Sequence, residues 1–116
     1  MNEFLLIFRR AFSSPEEQPS PEMMQQSIKQ WQDWFGSIAA QDKLVRPLQR
    51  WDLEGRVVKK DKDVINGPYA EIKESIGGLI LIRAKDYDEA VEIAQGCPIL
   101  ALGGNVEVRM AVTPQV

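Results

Sequence analysis

GLILIRAKDYDEAVEIAQG, residues 78–96, carries a strand signal and a helix signal back to back. Gly78 to Ala84 is an apolar run of strand length, rich in Ile and Leu. Asp86, with Glu89 three residues later, resembles the acidic version of a capping box and predicts a helix start. Ala90, Val91 and Ala94 then give that helix, expected through about Gly96, its apolar side. Beyond Pro98 and the Gly103-Gly104 pair, residues 105–112 alternate cleanly. Val106, Val108, Met110 and Val112 fall on one face, with Asn105, Glu107, Arg109 and Ala111 on the other. Strand, helix, strand is one half of a domain.

The other half precedes it. EFLLIFR, residues 3–9, is a short apolar strand, and FSSPEEQPSP, residues 12–21, reads as a loop. Ser20 before Pro21 suits an N-cap followed by proline at the first helical position. Met24, Ile28, Trp31, Phe35 and Ile38 then recur at spacings of four and three, which predicts an amphipathic helix ending near Lys43. In residues 44–65, the least distinct segment, strands over Leu48 to Leu53 and Arg56 to Lys60 flank a Glu54-Gly55 turn, with Val64 and Ile65 continuing. Asn66-Gly67-Pro68 is a turn, followed by one helical turn across Ala70 to Glu74. The order is β-α-β-β-α-β, a ferredoxin-like α+β fold. It comprises a four-stranded antiparallel sheet in the order 4-1-3-2 with two helices on one face.

The bulk numbers agree with one globular domain spanning residues 1–116. The hydrophobic share is 44% and the charged share 27%, as in folded proteins rather than disordered ones. Fourteen basic and seventeen acidic residues leave a formal net charge of −3 with no basic block, which argues against a nucleic-acid binder. The apolar run Phe4 to Phe8 is too short for a membrane span and lacks a signal-peptide layout, so no membrane partner is expected. A lone cysteine, Cys97, excludes an internal disulfide, and a cytoplasmic location is the default expectation.

Face assignment brings charges together. With Phe4, Leu6 and Phe8 turned to the helices, Glu3, Leu5, Ile7 and Arg9 occupy the open face. Leu79, Leu81 and Arg83 of the third strand and Glu107 and Arg109 of the last share it. Antiparallel pairing then brings Arg9 towards Glu107 and Glu3 towards Arg83. Leu5, Ile7, Leu79 and Leu81 form too apolar a surface to face water, which predicts a homodimer packed sheet to sheet.

Once placed, the residues Asn66-Gly67-Pro68-Tyr69-Ala70-Glu71, Lys73-Glu74, Gly77-Gly78, Asp88-Glu89-Ala90, Ala94, Cys97-Pro98 and Val106-Glu107-Val108-Arg109 resemble the YCII-related family. The likeness is to members marked by an Asp-Gly-Pro-Phe (DGPF) motif. It implies a dimeric α/β barrel. Some members of the wider family are associated with a His–Asp pair in the interface cleft, and a few are similar to lyase-like or dehalogenating enzymes. This chain has no histidine, Asn66 where the motif has aspartate, and Tyr69 where it has phenylalanine. An amide has no useful basicity, so Asn66 can position a ligand but cannot act as a general base.

The candidate ligand-binding residues are therefore Arg9, Asn66, Tyr69, Lys73, Glu107 and Arg109, around a small anion. Each has a simpler structural role as turn, ring packing or ladder charge. No catalytic residue can be assigned. With one cysteine and no histidine, a zinc or iron site would have to rely on carboxylates, no spaced cluster of which is present, and neither a metal nor another cofactor is expected. The glycine pairs lack a nucleotide-loop context. The primary reading is a small-molecule-binding or regulatory homodimer without catalysis. The alternative is a cofactor-free lyase, isomerase or dehalogenase-like enzyme using Glu107 as base, so enzymatic activity is left open.

Overall fold

A computed structural model describes residues 1–11, 20–50, 55–66 and 74–112. Its elements are β1 (Asn2–Ala11), α1 (Pro21–Ala40), β2 (Leu44–Arg50), β3 (Arg56–Val58), β4 (Val64–Asn66), β5 (Glu74–Ala84), α2 (Tyr87–Ala94) and β6 (Asn105–Met110). The four long strands form one antiparallel sheet in the order β2-β5-β1-β6, which is the expected ferredoxin-like arrangement. Between β2 and β5 the chain adds a separate hairpin of β3 and β4, joined through a 3-10 turn at Lys60–Lys62. Strand signal in residues 56–65 thus belongs to an insertion rather than to the main sheet. Residues 51–53 of the strand expected over Leu48 to Leu53, and Glu54 of the turn after it, lie outside the described residues.

Each helix forms where its cap allows. The Ser20 side chain accepts from the Met23 N–H at 3.2 Å, with Pro21 in the first turn. Asp86 accepts from the Glu89 N–H at 2.9 Å. Glu89 reaches back to accept from the Lys85 N–H at 3.2 Å, one residue earlier than a standard capping box would have it. Glu89 also pairs with Lys43 at 3.2 Å, tying the start of α2 to the turn after α1. The Lys85 N–H and then the Lys43 ammonium hold the Glu89 carboxyl below the ordinary carboxylate range.

Both helices end earlier than their periodicity predicts. Helix α1 stops at Ala40, because Asp42 takes a left-handed conformation at φ 57° and turns the chain into β2. Helix α2 stops at Ala94. Glu74, expected in a helical turn, is instead the first residue of β5, whose backbone runs back to pair with Ala11.

The core lies between the sheet and the helices. Phe4, Leu6 and Phe8 of β1, Ile80, Ile82 and Ala84 of β5, and Ala90 and Ala94 of α2 are buried there. From α1 the core takes Trp34 and Ile38, with Trp31 and Phe35 packed against it. Trp34 was not part of the periodic stripe, yet its indole N–H donates to the Ile93 carbonyl at 3.0 Å and its ring meets Phe8 edge to face. Met24 and Ile28, which were in that stripe, are more than half exposed. The side chains in the first turns of α1 therefore do not join the core. On α2 the apolar side runs through Ile93, and Val91 is exposed.

Candidate functional site

Strand pairing defines the open face residue by residue. Leu5 stands opposite both Leu81 and Arg109, and Ile7 opposite both Leu79 and Glu107. Leu5, Ile7, Leu79 and Leu81 thus form a two-by-two apolar island at the centre of the sheet. Ile7 is only 9% exposed, while the other three are half-buried. Arg46 of β2 is opposite Leu81, Glu3 is opposite Arg83, and Arg9 is opposite Asn105. A charged rim surrounds an apolar centre.

Three of the expected site residues come together on this rim. One oxygen of Glu107 accepts from the Arg9 guanidinium at 3.3 Å, and the other lies 3.7 Å from that of Arg109. Arg9 is half-buried, whereas Arg109 is 72% exposed and extends from the edge strand. Ion pairs this accessible contribute little to stability, on the order of 0.2–1 kcal/mol. Their consequence is positional: one carboxylate orients two guanidinium forks on the same side of the sheet. Glu3 and Arg83 face each other in the register, but no ion pair joins them among the described residues.

Two glycines shape the backbone beneath Arg9. In the pairing of β1 with β5, Phe8 is opposite Gly78 and Arg9 opposite Ile76, which leaves Gly77 as an extra residue. A bulge at this point re-aims the neighbouring side chain. From the other side, Gly104 packs against the Arg9 carbonyl. A Cβ on Gly104 would lie 2.5 Å from that oxygen and 2.6 Å from the Ile99 side chain. The sequence reading assigned neither glycine a role at the site. For Gly77 a signal was present, since a glycine beside an apolar strand can mark a bulge, whereas Gly104 lies in the turn before β6 and carried none.

The remaining site residues are placed differently. Asn66 ends β4, is exposed and pairs with Arg56. Among the described residues, no hydrogen bond or ion pair links it to Arg9, Glu107 or Arg109. Tyr69 and Lys73 lie outside the described residues. Arg46, on the same face as the cluster, was not among the sequence candidates. The irregular pairing of β2, with register shifts on both sides of Arg46, removes the alternation that would have placed it.

Cys97 is buried, and desolvation pushes its thiol up to about 11, so it is protonated at neutral pH and no nucleophile. Among the described residues, no group of three or more His, Cys, Asp or Glu side chains stands together as a metal site. No helix among them is long and apolar enough to cross a membrane.

No curated protein matches the chain by sequence comparison. A family model described as the YCII-related domain matches residues 18–112, from just before α1 to the residues after β6. The match covers most of the chain and agrees with the resemblance carried by residues 66–109, and on this ground the chain belongs to the YCII-related domain family.

Proposed function

We propose that the protein is a homodimer that binds a small anion in the gap between two open sheet faces, without catalysis. The observation that carries this reading is the Glu107 carboxylate flanked by Arg9 and Arg109 beside the apolar island. Apolar island and charged rim together have the anatomy of a protein–protein interface, with an apolar core and a polar surround. A second copy of the same face supplies matching apolar area through a two-fold axis. The arginine forks suit carboxylate or phosphate oxygens. Binding is favoured over chemistry because Glu107 is engaged by two cations and no histidine exists to act as acid or base.

The test is calorimetric titration with inorganic phosphate and with small carboxylates. Arg109→Ala is expected to weaken the binding of any anion that the wild type takes by about tenfold or more, the equivalent of one charge-assisted hydrogen bond. Equal affinity in the two proteins would remove Arg109 from the site.

A further inference from the structure

The open sheet face has the opposite sign of charge from the chain as a whole. The chain carries a formal net charge of −3. Among the described residues, the register places Arg9, Arg46, Arg83 and Arg109 on this face against Glu3, Glu107 and, opposite Ala11, Glu74. Four guanidiniums against three carboxylates leave a surplus of one positive charge on each copy, and so of two in a dimer. Glu107 is divided between Arg9 and Arg109, so it fully neutralises neither. Arg46 and Arg83 take part in no ion pair among the described residues.

Two copies meeting through this face bring both surpluses into one gap, where like charges oppose association. Deprotonation offers no relief, because guanidinium stays charged at any ordinary pH. An oxyanion with two or more charges does offer relief, and arginine forks are well matched to its oxygens. We infer that the dimer closes around a multivalent oxyanion held by arginines of both copies, so that anion binding and dimer formation are linked. This rests on the homodimer reading above and adds two things to it. The ligand carries at least two negative charges, and Arg46 and Arg83 act with the Arg9–Glu107–Arg109 cluster.

Linkage sets the size of the effect. A ligand that binds the dimer and not the monomer tightens the dimer by a factor that grows with its concentration over its dissociation constant. The experiment is sedimentation equilibrium near neutral pH, with ionic strength held constant by sodium chloride and inorganic phosphate added at low-millimolar levels. The wild-type dimer dissociation constant should fall by about tenfold or more on adding phosphate. Arg46→Gln and Arg83→Gln should each form a tighter dimer than wild type in chloride alone, yet respond less to phosphate. Arginines that merely support the interface would instead give weaker dimers in both buffers, which overturns the inference. Lys29→Gln, on an exposed face of α1, controls for the change in net charge and should leave both values unaltered. A dimer whose affinity ignores phosphate overturns the linkage and leaves the homodimer standing. A monomer under every condition, with no phosphate bound, removes both.

Discussion

Burial governs the chemistry of Cys97 more than its neighbours do. The residue is 3% exposed, and its thiol is pushed from 9.0 to about 11. Below the unfolded value both states hold the proton, so the shift has no effect there. Between about pH 9 and pH 11 the unfolded chain releases its proton while the folded one retains it, and stability falls with rising pH. At about 1.4 kcal/mol per unit, the full loss is about 2–3 kcal/mol. Urea denaturation of wild type and Cys97→Ala across this range should show the alkaline slope reduced in the variant. Gly104 is the second position where one atom decides the outcome. Gly104→Ala places a methyl against the Arg9 carbonyl and the Ile99 side chain, and overpacking of this kind costs about 1–3 kcal/mol. Because the displaced backbone is that of Arg9, this variant should also lose anion affinity, which titration alongside thermal melting would register.

The two helices are capped alike but coupled differently to the rest of the fold. Asp86 caps a short helix whose Ala90 and Ala94 are fully or almost fully buried, and whose Ile93 carbonyl receives the Trp34 indole. Fraying of α2 therefore disturbs the core. Ser20 caps the end of α1 where Met23, Met24 and Ile28 are exposed, so fraying there costs little. Asp86→Ala should lower unfolding stability by about 1 kcal/mol, and Ser20→Ala by clearly less, as measured by urea midpoints. Equal losses would mean that the first turns of α1 pack against something in solution. The same contrast explains what was legible in the sequence. Caps, strand alternation from Asn105 and the face of β1 are local signals, and each corresponds to an observed element, although β6 ends at Met110 rather than Val112. The burial of Trp34 and the exposure of Met24 depend on what packs against each turn of α1, which no local period encodes. The hairpin of β3 and β4 reads like sheet strands for the same reason: pairing partners are a tertiary property.

At the scale of the whole molecule, one sheet face is covered by helices and the other carries the apolar island and the arginine-rich rim. The Arg9–Glu107 pair was legible because strand order, antiparallel direction and the apolar alternation of both strands bring the end of β1 beside the start of β6 on one face, and the two groups lie 3.3 Å apart. The partners of Asn66 were not, since a turn's composition does not say where its loop is directed. What the open face meets decides between a homodimer and a monomer. Leu81 belongs to the island, while Gln32 is exposed on α1. A lysine at Leu81 puts an unpaired charge into the centre of the proposed interface, whereas one at Gln32 adds it to a solvated helix face. The most direct measurement is light scattering on micromolar protein in phosphate buffer, comparing wild type with Leu81→Lys and Gln32→Lys. Wild type and Gln32→Lys are predicted to have twice the 13.1 kDa chain mass, and Leu81→Lys to have the single-chain mass or to unfold. A wild-type mass of 13.1 kDa would contradict the homodimer on which the proposed site depends.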